Sequence, residues 1–232
     1  MKKTFKEYLI IGIRGWIGSM LIALLIATSF KSAIADWYLV PTGSMNPTIV
    51  EGDRILANKL AYDLKIPYTT IHLAQWEKPR RGDIVVFKSP ADGTRLVKRV
   101  VGIPGDRIAM ENNQLLINGE PLKYEGAGHW SFDGSPTPQN PDHEFYLEDL
   151  TGHRHLIKTI PDLPSVRSFS SLIVPANHYF MMGDNRDNSA DSRYFGFVPR
   201  KHILGRASAV VISLDPDHHR HPRWGRFFTK LQ

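Results

Sequence analysis

Three stretches of the 232-residue chain carry side chains able to do chemistry together. The first is Pro41-Thr42-Gly43-Ser44-Met45-Asn46-Pro47. Each proline removes a backbone donor and biases the preceding residue away from helix. Gly43 permits close approach of another backbone. The segment therefore reads as a stiff loop presenting the Ser44 hydroxyl. The second is Leu96-Val97-Lys98-Arg99-Val100-Val101. Strand alternation puts Leu96, Lys98 and Val100 on one face and Val97, Arg99 and Val101 on the other, so Lys98 and Arg99 cannot both face solvent. If the Leu96/Val100 face is the core face, Lys98 is an amine among apolar neighbours, and burial favours its uncharged form. An edge-strand lysine that snorkels would carry the same sequence. A neutral amine beside a hydroxyl is one way to activate a serine nucleophile.

The third stretch runs from Met182 to Gly196 and is dense in Asp, Asn, Ser and Arg. It fails as a calcium loop. Counting from Asp184, the sixth position is Ser189 rather than Gly; counting from Asp187, the twelfth is Val198 rather than Glu. Arg186 and Arg193 would also repel a cation, so Arg–Asp pairs within the loop are expected instead. The chain has no Cys, which excludes thiolate nucleophiles, disulfides and Cys-ligated metals. No HExxH is present, and His218-His219-Arg220-His221 reads as surface histidine. No metal or cofactor is expected.

Taken in order, the three stretches resemble the signature boxes of bacterial type I signal peptidases, membrane-bound Ser/Lys endopeptidases that remove signal peptides from exported proteins. Pro41–Pro47 is similar to the nucleophile box, Lys98–Asp106 to the lysine box and Gly183–Arg193 to the last box. The resemblance implies Ser44 as nucleophile, Lys98 as general base, and Thr42 with the Ser44 backbone as oxyanion donors. It implies Ser189 as the hydroxyl orienting the lysine, Asp191 and Arg193 as a supporting ion pair, and Met45 as the family's residue after the nucleophile. The implied partner is a preprotein signal peptide, extended and with small residues before the cut. The implied fold is a mostly antiparallel β catalytic domain carrying a smaller β insertion.

The elements that must position these residues read as a mainly β chain. Asp53–Ala57, Asp83–Phe87, Leu96–Val101, Gln114–Ile117, Leu172–Val174, Tyr179–Met182 and Ala207–Ile212 are short apolar runs bounded by turn residues. Asn118-Gly119 signals a hairpin. Short turns are expected around Lys59–Tyr62 and His72–Trp76, and weak strands at Tyr146-Leu147 and His155–Ile157. Close-set strands with Gly/Pro turns point to an antiparallel barrel or sandwich. The expected division is a catalytic β domain at 36–110 and 179–214, an inserted β/loop domain at 111–178 and a basic tail at 215–232.

The N-terminus adds a membrane reading. Leu9–Ala35 is apolar apart from Arg14 and Lys31. Its uninterrupted part, Gly15–Phe30, rises only ~24 Å as a helix, short of a ~30 Å hydrocarbon core. Arg14 and Lys31 reaching to the headgroups would close the gap. Lys2, Lys3 and Lys6 put residues 1–8 in the cytoplasm and the catalytic part outside, in a single-pass inner-membrane topology. Ala33-Ile34-Ala35 before Asp36 is also the layout of a cleavable signal peptide, though Lys31 inside the cleavage region argues for a retained anchor. The net charge of +6 sits largely at the two ends, which favours membrane lipid over nucleic acid as a partner. Two other classes share parts of the pattern. A self-cleaving repressor would need a helix-turn-helix where this chain has its apolar run. A non-enzymatic tethered β module explains the anchor but not the three segments together.

Overall fold

The computed structural model describes residues 15–28, 34–66, 69, 71–127 and 143–231. Its strands are β1 (Ala35–Leu39), β2 (Asp53–Asn58), β3 (Asp63–Lys65), β4 (His72–Gln75), β5 (Ile84–Lys88), β6 (Arg95–Gly102), β7 (Arg107–Glu111), β8 (Gln114–Ile117), β9 (Glu120–Pro121), β10 (Lys123–Gly126), β11 (Glu144–Leu150), β12 (His153–Thr159), β13 (Phe169–Ile173), β14 (His178–Met182), β15 (Val198–Pro199), β16 (Ile203–Asp215), β17 (His221–Pro222) and β18 (Thr229–Lys230). The fold is mainly β, and the named strands pair antiparallel throughout.

The principal sheet has the order β1-β2-β16-β5-β6-β14-β15. β16 is its long central member and carries register shifts against both β2 and β5. Such bulges bend a strand and increase its twist. One apolar cluster on this sheet gathers Tyr38, Met45, Ile49, Ile55, Val86 and Val210, and another gathers Tyr62, Val85, Phe87, Val100, Tyr179 and Ile203.

The segment 111–178 contributes to two smaller sheets, β13-β7-β8-β9 and β10-β11-β12. The Asn118-Gly119 turn joins β8 to β9 with positive φ at both residues (55° and 89°), as a two-residue hairpin turn requires. A third apolar cluster, with Val101, Ile108, Leu115, Val174 and Phe180, ties the first of these sheets to β6 and β14.

Three local expectations change. His72–Gln75 is a strand paired with β3, not a turn: cross-strand pairing overrides a weak local signal. The described part of the basic tail, residues 215–231, is pinned to the body. β17 and β18 pair with β16, and buried Arg226 binds Asp53 through Nη2 at 2.6 Å. Ala35 opens β1 opposite Asn58, so the sheet begins inside the segment read as anchor. Of that segment, residues 15–28 are helical with Trp16, Met20, Leu24 and Ile26 exposed; residues 9–14 and 29–33 lie outside the described residues, as does 1–8. Among the described residues no helix is long and apolar enough to cross a membrane.

Candidate active site

Ser44 is presented by a single 3₁₀ turn, Gly43–Met45, between β1 and β2. Met45 anchors that turn: its side chain is fully buried beside Ile49, Ile84 and Val86. From the other side Asn185 N donates to Ser44 O (3.2 Å), and Asn185 Nδ2 donates to Gly43 O (3.1 Å). The backbone on both sides of the hydroxyl is thereby fixed before any substrate arrives.

Lys98 comes from β6. Its Nζ stands 2.5 Å from Ser44 Oγ and donates to Val97 O at 3.1 Å. The lysine is 3% exposed and Ser44 9%. Burial lowers the Lys98 amine from 10.5 to about 8; Asp191 and Asp184 pull it back up and Arg193 pushes it down. Each of the two carboxylates is itself paired with an arginine. Burial would raise the Asp184 carboxyl, but bidentate Arg99 (2.9 and 2.8 Å) holds it below its usual range. Burial would likewise raise Asp191, and Arg193, bidentate at 2.8 and 2.8 Å, holds it down.

Arg99 is the side chain that alternation places opposite Lys98, and it is 1% exposed. Neither residue faces solvent, because both faces of the sheet are covered at β6. The Arg99–Asp184 pair also takes a hydrogen bond from Thr48 Oγ1 (2.5 Å), four residues after the serine. It therefore ties the 41–48 loop, β6 and the 183–191 loop together.

The charge pattern of the 182–196 loop suggested internal Arg–Asp pairs, but most of its ion pairs reach other segments. Only Asp191–Arg193 is internal. Asp184 goes to Arg99, Arg186 to Glu148 of β11, and Asp187 to Arg167. Gly183 is where the loop touches the serine: a Cβ there would meet Ser189 Oγ at 2.3 Å and Ser44 O at 2.4 Å. Ser189 packs against the same face of Gly183 as the Ser44 carbonyl. Its Oγ is buried beside the Asp191 carboxylate, while the Lys98 amine bonds to Ser44 Oγ and Val97 O. Thr42 is exposed in extended conformation at the lip of the site.

Beside the dyad runs a cleft of about 420 Å³, walled by Trp37–Thr42 on one side and Thr94–Lys98 on the other, with Ile55 and Val86 in its lining. Both walls end in unpaired strand edges among the described residues. β1 is the terminal strand of its sheet, and β14 pairs with β6 only from Arg99 onward. Arg95 bridges the walls, its guanidinium 4.5 Å from the centre of the Tyr38 ring. An extended peptide has two backbone ladders to join in such a slot.

A family model described as "Signal peptidase, peptidase S26" matches residues 13–212. The chain belongs to the signal peptidase, peptidase S26 family. Signal peptidase I of Pseudomonas aeruginosa is 36% identical over 217 residues, covering 88% of this chain and 74% of that protein. Signal peptidase I of Pseudomonas fluorescens is 37% identical over 204 residues, covering 82% and 69%. Among solved structures, a signal peptidase I from Enterococcus faecalis V583 shares 32% sequence identity, with 57% of this chain and 98% of that chain covered and a TM-score of 0.35.

All three chemistry-bearing segments lie within the stretch matched by the peptidase model. The chain is thus a serine endopeptidase of the kind that removes signal peptides, and its family is membrane-associated. Sequence reasoning missed Arg99, Asp184, Thr48, Asn185 and Glu148 as parts of this peptidase site. Alternation along β6 signalled that Arg99 or Lys98 had to be buried. Nothing local signalled its carboxylate, 85 positions away.

Proposed function

We propose that this peptidase cleaves with Ser44 as nucleophile and neutral Lys98 as general base. The observation that carries the reading is the 2.5 Å contact between Lys98 Nζ and Ser44 Oγ inside a buried site. A protonated lysine cannot accept a proton, and burial that lowers its pKa to about 8 leaves a working fraction uncharged. Lys98 takes the Ser44 proton as Oγ bonds to the scissile carbonyl carbon. The oxyanion is held by the Ser44 N–H and the Thr42 hydroxyl. The C–N bond then breaks, the Lys98 ammonium returns its proton to the departing amine, and an acyl-Ser44 ester remains. Water, deprotonated by the same lysine, hydrolyses the ester and restores Ser44.

The substrate pairs as a strand between β1 and β6, with small side chains at the two positions that face Ile55 and Val86. The supporting roles go to Met45, Asp191 and Arg193 through their packing and pairing, and to Ser189 through its place against Gly183. The sequence also supports a single span over residues 9–35 with the N-terminus cytoplasmic, the catalytic part outside and lipid at the interface. The expected inserted domain at 111–178 has its own three-stranded sheet in support.

The test is direct. Detergent-solubilised chain incubated with a preprotein yields the mature product, and Ser44→Ala yields none. Product formation by Ser44→Ala at the normal rate overturns the assignment.

A further inference from the structure

The small sheet β10-β11-β12 lies outside the dyad, yet it ends in a cluster of buried charge. Glu148 on β11 is completely buried, and its two oxygens accept from Arg186 Nη2 and Nη1, each at 2.7 Å. Tyr124 OH of β10 donates to Glu148 Oε2 (2.7 Å) and accepts from Leu115 N (3.0 Å). His155 on β12 stands between two carboxylates, with Nε2 3.3 Å from Glu148 Oε1 and 3.8 Å from Asp184 Oδ1. Asp184 in turn grips Arg99, the neighbour of Lys98.

The backbone repeats the link. Lys158 of β12 donates its N–H to Asp184 O and accepts from Arg186 N, both at 2.8 Å, so the loop is laid against β12 as a short parallel bridge. Asn185, held between those two bonds, is the residue that fixes the backbone of Gly43 and Ser44. The row Arg99, Asp184, His155, Glu148, Arg186 is electrically balanced when the histidine is neutral. Burial, followed by the nearby Arg99, pushes the imidazole down to about 4, so it is neutral near pH 7. A buried balanced row resists rearrangement, because removing any charged member strands its partner away from water.

We infer that Glu148 and His155 are positioning residues for the Ser44/Lys98 chemistry: the small sheet sets, through Arg186 and Asp184, where Asn185 holds the nucleophile. This rests on the assignment of Ser44 and Lys98 as the reacting pair. It makes the small sheet a part of the working site.

The test uses full chain in detergent and separates geometry from stability. Glu148→Gln keeps the side chain's shape and removes its charge. Its kcat for preprotein cleavage is expected to fall roughly tenfold to a hundredfold with KM changed less than about threefold, since displaced reacting atoms lose rate before affinity. The single-turnover rate of acyl-Ser44 formation with an activated ester should fall in parallel. Arg200→Gln breaks another ion pair, with buried Asp63, that shares no residue with the row; it should lower Tm and leave kcat per folded molecule unchanged. If Glu148→Gln behaves like Arg200→Gln, losing Tm alone, the inference is overturned. Should Glu148→Gln not fold, His155→Gln decides on the same measurements: a fall in kcat at constant KM supports the inference, and unchanged kcat removes it. Activity surviving in Ser44→Ala would instead remove the underlying assignment, whatever Glu148 does.

Discussion

Lys98 and Arg99 are consecutive in β6, both buried, and each holds a different half of the site: Nζ of Lys98 meets Ser44 Oγ, and the Arg99 guanidinium clamps Asp184. Alternation aims the two cations to opposite faces of one strand. The amine that must lose its charge and the guanidinium that cannot are thus kept on separate partners. Arg99 pairs with Asp184, one of the two carboxylates that raise the Lys98 pKa against the effect of burial. The division of labour depends on arginine remaining charged under any condition in which the chain folds.

The proposed Ser44/Lys98 dyad predicts a definite pH dependence. The base form of Lys98 is the neutral one, so kcat/KM rises with pH through about 8 and flattens above it. Initial rates of preprotein cleavage between pH 6 and 10 check this. Lys98→Met should lose activity by roughly 10³-fold, the range expected for a general base. A wild-type profile with no acidic limb, or near-normal turnover by Lys98→Met, excludes the lysine as base.

The same burial predicts that the inactive variant is the more stable one. With a folded pKa near 8 against an ordinary 10.5, the unfolded chain binds more protons than the folded chain between those two values. Stability therefore rises with pH across that window, and below it wild type carries the full penalty of about 3 kcal/mol. Lys98→Met escapes the penalty. Its Tm should exceed that of wild type at pH 7, and the gap should close as pH approaches 10.5. Thermal melts of both proteins at pH 7 and pH 10 measure it; equal gaps at both values count against a depressed lysine.

Gly183 gives a steric prediction. A methyl group there meets Ser44 O at 2.4 Å and Ser189 Oγ at 2.3 Å, and the first of these is backbone that cannot swing aside. Gly183→Ala must push the loop from the nucleophile turn, stretching the Asn185 bonds to Gly43 and Ser44. Overpacking of this kind costs about 1–3 kcal/mol, and a shift near 1 Å at the reacting atoms about a hundredfold in kcat. Circular dichroism and cleavage rates on the purified variant test both. Gly105→Ala, whose Cβ meets nothing within 4 Å but whose φ of 92° strains the turn, should lose Tm and keep kcat.

These contacts also mark how far the sequence can be read. Ser44 and Lys98 were legible because their surroundings are local: prolines and a glycine stiffen one, and an alternating apolar strand surrounds the other. The strands at 84–88, 95–102, 114–117 and 178–182 were legible for the same reason. The partners of the polar loop were not. Asp184, Asp187 and Arg186 had opposite charges beside them in sequence, yet each pairs with a residue from another element, Arg99, Arg167 and Glu148. Charge complementarity has no directional memory along the chain, so a dense loop leaves many pairings possible until the sheets fix which ones meet. His72–Gln75 failed differently: four residues with little strand character are held by β3 across from them. The tail shows the same override, since Arg226 is in sequence one of several basic residues of the tail and is buried on Asp53.

His155 predicts where the protein weakens in acid. Burial is the main cause of its low pKa of about 4, with Arg99 adding to it; Asp184 and Glu148 pull the other way without prevailing. An unfolded histidine titrates near 6.5, so between about 6.5 and 4 the unfolded chain binds a proton that the folded chain refuses. Stability falls as pH drops through that window, by about 3 kcal/mol at its lower end. The neighbouring carboxylates cannot produce this loss. Burial works against Glu148 and Asp184, but Arg186 and Arg99 hold both below their ordinary 4.5 and 3.8, so their contribution is lost only beneath those values. Urea melts at half-unit steps from pH 7 to pH 4 should show the decline in wild type. In His155→Gln, which has no proton to take up, the curve should be flatter over the same interval even if the variant is less stable at pH 7. Parallel curves for the two proteins would mean that the imidazole titrates in the fold as it does in water, and that the row from Arg99 to Arg186 tolerates a fifth charge.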